Sequence, residues 1–320
     1  MPRRRSNKAR LLGQAHGLLF SLSACLCLSF GAAAASADPP NVVVSIKPIE
    51  AIVGAVMRGV GTPYLLIRGS GSPHSYPLRP SDARALSNAD VVFRVGPDLD
   101  VFLEKPLAAI ANKANIVTLI EVEGLTLWPL RTSGQWTARD EAHGAIDSHV
   151  WLDPANAAAI ARAAAEALGA VDTANAATYR ANATRFGADL DALDAELRGT
   201  LAPVREAPYV VFHDAYQYFE RAYGLNAVGA VTISPERAPG ARRITDIRAL
   251  ISGLGARCLF SEPQFEPAIA ATIVEDTDAR TGVLDPLGAA VAPGPGGYAT
   301  LMRGLARALV DCLAGPGRLD

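Results

Sequence analysis

Histidine and cysteine are scarce in this chain: five and four among 320 residues. Cys25 and Cys27 lie in an early apolar stretch, which leaves Cys258 and Cys312 beyond it. A bond between those two would close a long loop worth roughly 4 kcal/mol on chain-entropy grounds; the alternative is a pair of buried free thiols. Positive charge is concentrated in the first ten residues, "MPRRRSNKAR", and no basic cluster follows. This excludes nucleic acid and anionic membrane as the main partner. No apolar run after residue 37 is long enough to span a bilayer. There is also no HExxH and no nucleophile elbow, so the usual short signatures of a hydrolase are missing. No internal repeat of fixed period is present.

The first 37 residues read as a leader. The basic start runs into "LLFSLSACLCLSFGAAAA" and ends in Ala35-Ser36-Ala37, which is the charged, apolar and A-x-A pattern of a cleaved secretory signal. The expected location is therefore the periplasm. "LSAC" at 22–25 also resembles a lipoprotein box, so a lipid anchor on Cys25 is the minor alternative. Removing the leader's five Lys/Arg from 30 leaves 25 against 32 Asp/Glu, and the net charge moves from −2 to −7.

In the remaining chain, short β-branched runs alternate with helical patterns. Strands are expected at 41–46, 63–67, 90–95 and 115–119, and again at 209–212, 227–233, 257–260 and 281–284. Continuous apolar strands separated by helices indicate parallel sheets covered on both faces. Between 154 and 201 there is no strand signal, and "VDTANAATYRANATRFGADLDALDAELRGTLAPV" reads as one long helix stopped near Pro203. The expectation is an α/β fold of two lobes, 38–170 and 204–320, joined by one long helix over 171–203. Residues 131–147 read as an exposed polar loop.

Four histidines remain beyond the leader: His74, His143, His149 and His213. His74 follows the second expected strand through the turn-rich "RGSGSPH", and His213 directly follows "YVVF" in the other half. His149 stands just before the helix that opens at Pro154. Ligands of open parallel sheets bind outside the carboxyl ends of strands. Three imidazoles converging there suit zinc, with a carboxylate or water in the fourth position. Asp285, after the last expected strand, is the first candidate carboxylate and Glu262 the reserve. His143, beside Asp140 and Glu141, reads as a solvated loop residue.

Several blocks carry a wider likeness: "GSPHSYPLRPSDARALSNADVVFRVGPDLDVFLEKPL", "HVWLDP", "VVFHDAYQYFERAYGL", "SPERAPGARRITDIRALI", "CLFSEPQF" and "VLDPLG". In this order they resemble the ZnuA-like zinc-binding proteins, extracytoplasmic solute receptors of ABC importers, over the whole chain beyond the leader. The resemblance implies two α/β lobes joined by a long helix, with metal in the cleft between them. It implies His74, His149, His213 and Asp285 as metal ligands and a Cys258–Cys312 disulfide. It also implies a monomer that captures a divalent metal, performs no catalysis and docks on a membrane permease. Two departures stand out. Pro73 occupies the position where some zinc receptors carry a ligating Glu, and the loop before His149 holds one histidine, where many relatives have a His/Asp-rich stretch. Alternatives are a manganese or other divalent-metal receptor of the same fold and a secreted zinc hydrolase.

Overall fold

The computed structural model describes residues 38–110, 113–131, 145–232, 240–265 and 267–315. The expected leader, the Cys25 anchor and His143 lie outside the described residues.

The first half builds a four-stranded parallel sheet from β1 (Val42–Val44), β2 (Tyr64–Leu65), β3 (Val91–Arg94) and β4 (Asn115–Thr118), in the order β2-β1-β3-β4. The second half repeats the pattern with β5 (Tyr209–His213), β6 (Ala227–Thr232), β7 (Cys258–Ser261) and β8 (Arg280–Val283), in the order β6-β5-β7-β8. Each of the eight strands falls on an expected apolar run, allowing for a residue or two at the ends. All three valines of β1 and all five residues of β5 are buried, as central strands covered on both faces require.

Helices follow their local start signals. α1 (Lys47–Val56) and α2 (Pro80–Ser87) each carry Pro in the first turn, where its missing N–H costs nothing. α3 (Glu104–Ile110) completes the first half. α4 (Pro154–Val171) opens on Asp153, whose side chain accepts the Ala155 N–H at 2.8 Å.

The long helix expected over 171–203 is present, but it starts later than expected. α4 ends at Val171, and the long α5 (Ala176–Leu201) starts only at Ala176. The reason is Asp172: its carboxylate accepts from the Asn175 backbone and side chain and from the Tyr179 hydroxyl, at 3.2, 2.8 and 2.7 Å. That cluster favours a turn between two helices packed side by side. α5 buries Tyr179, Ala183, Phe186, Leu190, Leu193, Leu197 and Leu201, one face at helical spacing. Its 26 residues reach about 39 Å at 1.5 Å each.

α6 (Gln217–Tyr223), α7 (Ala241–Leu254) and α8 (Pro267–Val274) flank the second sheet. α9 (Gly297–Leu313) packs against α5, α1 and β8, so the last helix touches elements of both halves. Cys258 of β7 and Cys312 of α9 form a disulfide, which ties this helix to the second sheet. No helix among the described residues is long and apolar enough to cross a membrane.

Candidate metal centre

The turn-rich stretch after β2 is held from inside. The buried Tyr76 hydroxyl lies 3.0 Å from the Leu66 carbonyl and 3.1 Å from Asp82, and the Tyr64 hydroxyl donates to the same carboxylate at 3.1 Å. Asp82 also accepts the Arg79 N–H at the start of α2. The Gly/Ser/Pro loop is thereby pinned at its far end, and His74 is carried at its crest.

His149 is placed by a helical turn, Val150–Leu152, that is entirely buried. Trp151 in that turn donates to the Pro286 carbonyl at 2.9 Å, and its own carbonyl accepts the Tyr298 hydroxyl of α9 at 2.8 Å. His213 needs no loop, since it is the last residue of β5.

The structure brings these three histidines together. One ligand atom from each lies within 4.8 Å of the others, the only such group among the described residues. Ring centroids stand 6.5 Å (His74–His149), 5.8 Å (His74–His213) and 5.1 Å (His149–His213) apart. His149 and His213 are buried and His74 is half-buried. The cavity between them, about 20 Å³, is walled by Leu99, Trp151, Phe265 and Leu287 and also lined by Glu262 and Gln264.

Two carboxylates stand behind the rings. Asp147 accepts both the backbone N–H and the Nδ1 of His149 on one oxygen, at 3.0 and 2.7 Å. Gln217 donates to the other oxygen at 3.2 Å. With Nδ1 held this way, Nε2 keeps the lone pair that faces the cavity. Burial pushes Asp147 up, but the charge and hydrogen bonds of His149 outweigh it and hold the acid below its ordinary range. Glu262 stands with Oε1 3.4 Å from Nδ1 of His213. Burial lowers His213, yet the Glu262 charge and hydrogen bond turn the net shift upward. At His74, burial first and then the two neighbouring imidazoles lower the ring to about 3.

Asp285 does not join the group. Its Oδ1 accepts the Leu287 and Gly288 N–H groups at 3.1 and 2.9 Å, and its Oδ2 accepts Ala289 N–H at 2.5 Å. These bonds shape the 285–289 turn, and each oxygen keeps a lone pair beyond them. Sequence reasoning passed over several residues around the site. Asp214 and Glu220 both pair with Arg131 behind His213, and Gln217 lies between them in sequence. Polar residues spaced three apart in the otherwise aromatic "FHDAYQYFE" were the available signal.

Comparison with known proteins agrees with this geometry. The family model described as zinc-uptake complex component A, periplasmic, matches residues 42–312. A Brucella suis protein named high-affinity zinc uptake system protein ZnuA is 44% identical, covering 92% of this chain and 98% of its own length. A crystal structure of ZnuA superposes with a TM-score of 0.74 at 24% identity, covering 86% of this chain and all of that one. A zinc-bound ZnuA deletion mutant gives a TM-score of 0.71 at 25% identity, covering 88% of this chain and all of that one. On the family match and the end-to-end likeness to its relatives, the chain belongs to the periplasmic zinc-uptake component A family.

Proposed function

We propose that the chain is an exported receptor that captures one Zn²⁺ between its two halves and delivers it to an ABC permease. The observation that carries this reading is the group of three imidazoles from three separate elements, gathered around a cavity of ion size. Neutral imidazoles suit zinc, whereas manganese prefers carboxylate and water oxygens, so a histidine at position 213 favours zinc.

Charge balance supports the same reading. A dication held by neutral rings in a buried site needs compensation nearby. Asp147 and Glu262 are 1% and 4% exposed, and each lies against the Nδ1 of a histidine, so together they supply two negative charges. The cavity of about 20 Å³ has room for an ion and a water, since one water needs about 10–15 Å³. That size supports capture over turnover of an organic substrate. His74, His149 and His213 are the proposed ligands; Asp285 organises the turn that borders them. Residues 1–37 are the proposed export signal, with Cys25 as a lipid site the minor alternative.

Calorimetric titration of metal-stripped protein tests this. One tight zinc site per chain with much weaker manganese supports it. Manganese binding as tight as zinc would overturn the zinc assignment, and no metal binding would overturn the receptor reading.

A further inference from the structure

Beside the three rings sits a side chain whose polar atoms have nothing to bind. Among the described residues, Oε1 and Nε2 of Gln264 are both buried without a hydrogen-bond partner, and the side chain belongs to the metal cavity's lining, as does Glu262. Oε1 of Glu262, by contrast, faces Nδ1 of His213 at 3.4 Å. Native interiors rarely leave buried amides unpaired, because the lost contact with water is not replaced. Such groups therefore mark a place where something else binds.

The backbone fixes where they stand. Residues 262–265 form a tight turn in which the Phe265 N–H donates to the Glu262 carbonyl at 3.1 Å, with Pro263 at the second position. Phe265 stacks on Phe212 at 5.1 Å and meets the edge of His213 at 6.3 Å. Turn and ring together hold Gln264 against the site.

Building on the zinc reading above, we infer that Gln264 is a positioning residue that holds a water in the ion's fourth coordination position. A water bound through one lone pair offers hydrogens to acceptors around it, and Gln264 Oε1, without a partner among the described residues, belongs to a side chain lining this cavity. Three imidazoles leave one tetrahedral position for it. Partners of this outer kind change metal affinity by about 10–100-fold.

The test uses the full metal-stripped chain with Gln264→Met, which keeps length but removes the acceptor, and Gln264→Glu, which keeps an acceptor. Three readouts are taken: zinc calorimetry, the visible spectrum of Co²⁺ in the same site, and melting of the metal-free forms. The expected result is a loss of about tenfold in zinc affinity for Gln264→Met. Its Co²⁺ bands should shift, and its metal-free form should melt at the wild-type temperature or above, since an unpaired buried amide has been removed. Gln264→Glu should bind zinc as tightly as wild type or tighter. Zinc affinity within twofold of wild type and unchanged Co²⁺ bands in Gln264→Met would overturn the inference. So would a metal-free Gln264→Met that melts lower or fails to fold, because that marks a structural role. Wild-type protein that binds no zinc would sink the receptor reading and this inference together.

Discussion

The two sheets share one strand order but use their carboxyl ends differently. In the first, the turn after β3 closes on itself: buried Asp100 accepts the Val95 and Gly96 N–H groups at 2.5 and 3.4 Å. Burial pushes Asp100 up to about 6 despite those bonds. In the second, the corresponding turn after β7 presents Glu262, Gln264 and Phe265 to the metal cavity, and β5 ends on His213 itself. The first half delivers two imidazoles, His74 on a loop and His149 on a buried helical turn, and the second delivers His213 from the sheet itself. One strand order thus serves loop-borne donors on one side and a strand-borne donor on the other.

The largest effect should come from the ligands. His213→Ala and His149→Ala are each expected to weaken zinc by more than the roughly 100-fold that outer partners reach. His74→Ala should lose least of the three, because its loop site is half-exposed and admits a replacing water. Equal losses at all three, by calorimetry, would erase the distinction between loop-borne and sheet-borne donors.

The disulfide should separate the halves next. Removing Cys258 and Cys312 together is expected to cost roughly 4 kcal/mol. Hydrogen exchange should show the loss in β7, β8 and α9, with β1 and β3 little changed. Asp147→Asn follows, with zinc affinity down about 10–100-fold through a misplaced His149 ring.

Proton competition sharpens the contrast between His74 and His213. His213 is raised above its ordinary 6.5, so its proton competes with zinc from above that pH, and affinity should fall by up to about tenfold per pH unit below it. In the metal-free chain, the stability His213 contributes is present below about 6.5 and fades as pH rises through its folded value. His74, lowered to about 3, stays neutral in the fold, so acidification from about 6.5 toward 3 removes stability there. Melting of His74→Ala should therefore lose less on acidification below about 6.5 than wild type, whereas His213→Ala should depart from the wild-type pH slope only above about 6.5. Smallest of all, Asp285→Asn should loosen the 285–289 turn and change zinc affinity by less than about threefold, well short of an outer-shell loss.

Much of this was legible before any coordinates. Eight apolar runs became eight strands, the central ones such as β1 and β5 because burial on two faces demands continuous apolar sequence, and two of the three histidines stood at the strand ends where parallel sheets bind. The start of α5 was legible only to within a few residues, because Asp172 turns the chain through bonds to Asn175 and Tyr179 that resemble a helix start in one dimension. Gln264 and Asp147 were silent for another reason. A glutamine in a Pro-containing turn and an aspartate in a polar loop read as solvated, and only the fold puts them behind the metal ligands.

The most direct test of the three-histidine site is zinc-edge X-ray absorption on the loaded chain. Three imidazoles with one further oxygen in a four-coordinate shell is the expected result. Two imidazoles or fewer, with carboxylate oxygens making up the shell, would contradict it.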